Sequence, residues 1–250
     1  MKFDRYTLCA RVVPAAFVAV PLVLATAPWL PPDAFAAKGP FAKFASLATS
    51  GAVAAALSFV LAQLSRGLGG RLETRLWKEW DGRPSATFLR HRDPGLGTLQ
   101  KRELHARLRR ANPELHLPSP EEEATDPVEA DHCYDRASSW LRNRTRNAKT
   151  FPLLFEDNLA YGFRRNLLAL RPYAAAAAAA GILSGGVALW LSGSGWIAVV
   201  GSALSGGYAL MNGKDDVRRQ SDKFTRSLFD ALDASQVRKA RSAARAVGTA

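Results

Sequence analysis

Three stretches of this chain carry no ionisable side chain: residues 12–32, 44–65 and 172–213. The surface of a soluble helix needs a polar face well within such a length. This partition therefore points to helices that cross a membrane. The chain has 250 residues and a net charge of +12, and its charges lie on the segments between the three runs.

The first run contains "VVPAAFVAVPLVLATAPWL", residues 12–30. As a helix it is about 28 Å long, close to the ~30 Å of a hydrocarbon core. Pro14, Pro21 and Pro28 fall seven residues apart and share one face. Neighbouring helices in a membrane re-satisfy the carbonyls that prolines free. Trp29 marks the interface. The rival reading is a signal peptide, with a basic start, "MKFDRYTLCAR", and a cleavage-like "AFA" at 34–36. The length and the prolines favour a retained span.

The second run holds "FASLATSGAVAAALSFVLAQL", 44–64, after a short connector. The last run holds two spans, 173–193 and 196–212, separated by serine and glycine. Its seven consecutive alanines are ambiguous alone, but the run ends in "VALWL". The expected fold is an all-α integral membrane protein with four transmembrane helices. A cytoplasmic N-terminus (1–11) leads into hairpin 1 (12–64), a cytoplasmic helical region (65–171) and hairpin 2 (172–213). An amphipathic cytoplasmic tail (214–250) follows.

Orientation follows from the basic residues. Residues 66–165 carry 19 Lys and Arg against 15 Asp and Glu, and the tail carries nine against five. Lys38 and Lys43 are the basic residues of one hairpin tip, and the other tip has none. The positive-inside rule then places both termini in the cytoplasm.

The central region reads as helices. "GTLQKRELHARLRRANPEL" ends at Asn112-Pro113. Ser119, Pro120 and Glu122 form a capping box. A helix starts on Asp126-Pro127 and carries Ala130, Tyr134, Ala137 and Leu141 on one face. In the tail, Val217, Phe224, Leu228 and Ala231 keep helical spacing.

Signals of catalysis are weak, and an enzyme is not expected. "HRD" at 91–93 lacks the other kinase elements. His132-Cys133 has no second pair at metal-ligand spacing. His105 and His116 fall on a polar stretch expected to be solvated, and Glu121, Glu122 and Glu123 are expected to favour a helix N-terminus. Cys9 and Cys133 fit no disulfide framework. No metal or cofactor is implied. The spans lack the Asp, Glu or His of proton relays, which speaks against a proton-coupled transporter.

Two groups of residues are candidates for function. The first is small: Ser46, Ser50 and Ser58, then Gly181, Gly185, Gly201 and Ser205. Close helix packing and a serine-lined pore both use such spacing. The second is cationic: Arg142, Arg146, Lys149, Arg164, Arg165 and Arg171. These anchor to lipid phosphates, or they bind an anionic nucleotide or nucleic acid. Trp77, Trp80, Tyr161 and Phe163 are candidates for stacking on bases.

The stretches "LWKEWDGRPSATFLRHRD" (76–93) and "FEDNLAYGFRRNLLALRP" (155–172) resemble those of poorly characterised bacterial four-pass membrane proteins. In outline the chain is similar to the membrane component of the Hailong anti-phage defence system. That resemblance implies an oligomeric channel effector of the bacterial inner membrane, held silent by a single-stranded DNA oligomer until infection. The alternative expectation is a non-conducting scaffold or adaptor that recruits a cytoplasmic protein partner. Expected partners are lipids, copies of the chain, and a nucleic acid, nucleotide or protein on the cytoplasmic side.

Overall fold

A computed structural model describes residues 5–29 and 40–247, with side chains for 5–29, 56 and 59–232. The described residues are helical and form no strand. In chain order the helices are α1 (Arg5–Thr7), α2 (Val13–Thr26), α3 (Pro40–Glu79), α4 (Pro84–Thr87) and α5 (Thr98–Ala111). They continue with α6 (Pro120–Thr125), α7 (Pro127–Arg144), α8 (Pro152–Ser192), α9 (Trp196–Met211) and α10 (Lys214–Val247). A π turn, Leu8–Val12, joins α1 to α2, and a 3-10 turn, Ala27–Trp29, follows α2.

The chain divides into two compact units. Unit 1 comprises residues 1–73 and 159–217, and unit 2 comprises 74–158 and 218–250. The stretches 65–73 and 159–171, expected in the cytoplasmic region, cluster with the apolar helices of unit 1.

Among the described residues, two helical stretches are long and apolar enough to cross a membrane: Arg5–Trp29, in unit 1, and Pro152–Ser192, whose apolar half is in that unit. Helix α9, with 16 residues, is shorter than the roughly 20 that a full crossing takes. The expected second span lies inside α3, and most of its side chains, Ser46, Ser50 and Ser58 among them, fall outside the described residues.

The proline face of the first span is buried, with Pro14, Ala15, Val18, Ala19 and Pro21 all inward. Proline removes one intrahelical hydrogen bond, leaving the carbonyl four residues earlier without its donor. Pro14 follows the π turn, where the Val13 N–H reaches back five residues to the Leu8 carbonyl, and the nearby Ala10 carbonyl accepts from the Asn166 side-chain amide at 2.5 Å. For Pro21 the carbonyl four residues earlier is that of Phe17, and the Ser205 hydroxyl donates to it at 3.2 Å. At the end of the span, Ser184 donates to the Ala25 carbonyl, and the Trp29 indole N–H donates to Ser184. So α8 and α9 supply side-chain donors to the carbonyls of Ala10, Phe17 and Ala25.

The small residues of hairpin 2 sit at these contacts. A Cβ on Gly181 would collide with the Ser202 side chain and meet the Pro21 carbonyl at 3.0 Å. One on Gly185 would lie 2.8 Å from the Gly195 carbonyl, and one on Gly201 would lie 2.6 Å from Leu24. Inside α8, Ala174, Ala177 and Ala178 face the core with Leu167 and Leu170. The turn to α9 places Gly193 and Gly195 at φ of +69° and +96°, where residues with a side chain are strained.

Unit 2 is built differently. Its core is Leu89, Leu104, Leu108, Tyr134, Ala137, Leu141, Leu228 and Leu232, with Phe151 and Phe224 packed on it. Each fully buried leucine contributes about 1.5–3 kcal/mol by leaving water. The expected face of α7 is the buried one: Ala130, Tyr134, Ala137 and Leu141. The capping box forms: Glu122 N–H donates to Ser119 Oγ, and Ser119 N–H donates to the Glu122 carboxylate. Asp126 caps α7 by accepting from Glu129 N–H.

Candidate functional site: an arginine-lined cavity

Six cations were singled out in the sequence, and the structure gives them three different settings. Arg165 is held inside unit 1. Its guanidinium meets the Glu73 carboxylate at 2.9 Å, and its Nε donates to Asn166 Oδ1. Tyr161 donates to the same carboxylate at 2.8 Å. Arg164 donates to the Asn212 side-chain oxygen, and Asn212 donates back to the Arg164 carbonyl. Arg171 is half-buried at the turn before Pro172. The ion pair with Glu73 thus engages Arg165 within the unit.

Arg142 and Arg146 come together in unit 2. They line a cavity of about 160 Å³ with Thr145, Leu154, Phe155, Asn158, Phe224 and Leu228. Arg142, near the end of α7, donates to Ser139 Oγ at 2.7 Å and Ser85 Oγ at 3.3 Å. Ser85 and Ser138 are themselves bonded at 2.7 Å, which secures α4 against α7. Arg146 is exposed just beyond α7. The floor is apolar, with Leu228 fully buried and Leu154 nearly so. Lys149 is exposed in the following turn and does not line the cavity.

The aromatic candidates need correction. Tyr161 is buried and Phe163 packs against the core of unit 1, so neither offers a face to a base. Trp77 already carries the Arg83 guanidinium at 4.3 Å from its ring centroid, and Trp80 carries Arg218 at 4.9 Å. The aromatic rings beside the arginine cavity are Phe155 and Phe224. Their spacing from the arginines exceeds a helical turn, so no local pattern marked them.

A second polar centre was missed in the sequence. Glu123 lies in the first turn of α6, as expected, and is 3% exposed. Its carboxylate accepts from the Tyr134 hydroxyl, the His91 and Arg92 backbone N–H groups and the Arg92 guanidinium. Burial alone would raise its pKa, but these donors hold it at about 2. Arg92 and Arg90 also share Asp131. The "HRD" stretch is therefore a structural clamp on a buried carboxylate. His105, expected in solvent, is also buried, with Nε2 2.8 Å from the Leu89 carbonyl. Burial is the largest influence on it and lowers its pKa to about 4. His116 is exposed beside Glu122.

Among the described residues no three His, Cys, Asp or Glu side chains converge to hold a metal ion. Chemically, the arginine cavity can take an anion, and Glu123 can take none. Compared with known proteins, the chain matches no family model, no curated protein and no solved structure.

Proposed function

We propose that the protein is an oligomeric effector of the bacterial inner membrane, of channel type and acting in anti-phage defence. In this reading the four spans cross the bilayer and both termini are cytoplasmic. Unit 2 takes an anionic ligand, a nucleotide or single-stranded nucleic acid, at Arg142 and Arg146. Ligand binding biases a closed over an open arrangement by favouring one of them.

The observation that carries the membrane assignment is where the apolar surface lies. Among the described residues, all the exposed large hydrophobic side chains but Leu99, Val128 and Leu153 belong to unit 1. Leu183, Trp190, Leu204 and Met211 are at least 70% exposed. Soluble proteins keep contiguous apolar patches to a few hundred Å², whereas a lipid-facing belt requires such side chains.

Two measurements test the reading. A Cys9→Ser chain retains Cys133 in unit 2. An impermeant maleimide should label Cys133 in inside-out vesicles and leave right-side-out vesicles unlabelled. The reverse result refutes the orientation. Purified protein in liposomes should pass ions, and silence with and without ligand refutes the channel.

A specific observation favours a second reading, a non-conducting scaffold. Gly181, Gly201 and Ser205 are engaged in contacts within the protomer. They are thus spent on packing instead of lining a pore. The scaffold predicts a protein partner in pull-downs and no depolarisation on overexpression.

A further inference from the structure

We propose that the cavity between α7, α8 and α10 takes a small anionic amphiphile: one carboxylate or phosphate joined to a single ring or about six carbons. The proposal rests on the anionic-ligand reading of unit 2 and sets an amphiphile in place of the nucleotide or nucleic acid.

Size comes first. A cavity of roughly 150 Å³ lined by apolar side chains admits benzene, and this one measures about 160 Å³. The cavity is half open, so a larger ligand would extend from it into solvent. The lining is the second constraint. Leu154, Phe155, Phe224 and Leu228 form the floor, and the Thr145 hydroxyl is already bonded to the Leu141 carbonyl at 2.9 Å. Asn158 is the other uncharged polar side chain of the lining, and apart from the arginines the rest of the surface is apolar, which suits a hydrocarbon.

Charge is the third constraint. Two arginines line the cavity and no carboxylate does. Ser85 and Ser139 fix Arg142, so its planar group is held in place before a ligand arrives. Exposed Arg146 is placed to close on an anionic head. By contrast, the roomier cleft at His116, Glu121, Glu122, Asp126 and Glu129 would repel an anion. A bare phosphate leaves the apolar floor wet, and a neutral ring leaves the arginines unused. The two requirements meet in one amphiphile, whether it is a free metabolite or derives from a lipid.

The test uses the full chain in phosphatidylcholine nanodiscs, titrated with phenyl phosphate and read by calorimetry. Phenyl phosphate should bind at least tenfold tighter than inorganic phosphate or benzyl alcohol. Arg146→Ala should weaken it tenfold or more. Phe155→Trp, which fills the cavity, should abolish binding without altering thermal unfolding. Adding phosphatidylglycerol separates the sources: competition marks a lipid ligand, and unchanged affinity marks a free one. Phenyl phosphate binding no tighter than both partial probes, or indifferent to both substitutions, overturns the proposal. If single-stranded DNA binds in an Arg146-dependent way and phenyl phosphate does not, the amphiphile fails and the anionic-ligand reading stands. If neither binds, both fail.

Discussion

The bond from Ser205 to the Phe17 carbonyl exists because Pro21 has no N–H to give that carbonyl. A thermodynamic cycle isolates this dependence. Ser205→Ala removes the donor and little volume. Polar bonds between helices in membranes contribute about 0.6 kcal/mol on average and up to roughly 1.7. A carbonyl left with neither donor lies at the upper end, because leaving a buried acceptor unsatisfied costs about 1–3 kcal/mol. The expected loss is therefore about 1–1.5 kcal/mol. Pro21→Ala restores the intrahelical N–H to Phe17. In that background Ser205→Ala should cost no more than about 0.5 kcal/mol, giving a coupling of about 0.5–1 kcal/mol. The assay is reversible unfolding of the full chain in bicelles, with the wild type, both single variants and the double variant. Equal costs of Ser205→Ala in the two backgrounds, within about 0.3 kcal/mol, would refute the claim that the hydroxyl replaces the proline's missing bond.

The remaining predictions concern packing and pH. Gly181→Leu should destabilise unit 1 by about 1–3 kcal/mol through overpacking against Ser202 and Pro21. Gly186→Ala, with nothing within 4 Å of its added Cβ, should be neutral or stabilise by up to about 1 kcal/mol; thermal unfolding in detergent compares them. For His105 the folded pKa is about 4, below the ordinary 6.5 or so. The unfolded chain then gains a proton that the folded chain refuses as pH falls from about 6.5 to about 4. Stability of unit 2 should drop by roughly 3 kcal/mol over that window, and His105→Gln should flatten the decline. For Glu123, held at about 2, stability is present above its unfolded value near 4.3 and lost as pH falls toward 2. Glu123→Gln should remove that second acid limb, in the same denaturation series, at a cost near neutral pH.

Much of unit 2 was legible because its signals are local. Ser119 with Glu122, and Asp126 with Pro127, place two helix starts, and the four-residue spacing of Ala130, Tyr134, Ala137 and Leu141 gives the buried face. The burial of Glu123 was not legible for the same reason. A run of three glutamates at a helix start reads as a favourable charge cluster. The Tyr134 that draws the third glutamate inward stands eleven residues away, and the His91 and Arg92 N–H groups stand on another loop. Burial of His105 depends likewise on the Leu89 carbonyl, which no spacing within α5 reports. The arginines show a related limit. Arg164, Arg165 and Arg171 all approach the same apolar run, yet the positions of Glu73 and Asn166 decide that Arg165 is engaged, and those positions are set by tertiary packing.

The prolines of the first span show how part of such tertiary information can be recovered. Three prolines seven residues apart announce which backbone carbonyls lose a donor: residue i−4 in a regular α-helix. In a run lined by alanine, valine and leucine, those carbonyls accept from a neighbouring helix or remain unsatisfied at a cost of several kcal/mol in lipid. The donors must then be the isolated polar residues of the other helices, since nothing else there has a proton to give. Ser205 is such a residue and meets the Phe17 carbonyl, while Asn166, beside Arg164 and Arg165, meets that of Ala10. Proline positions on one helix and lone polar residues on another thus constrain which helices pack together. Neither feature does so alone, because a lone serine in a span also bonds harmlessly to its own backbone, as Ser65 does to Ala62.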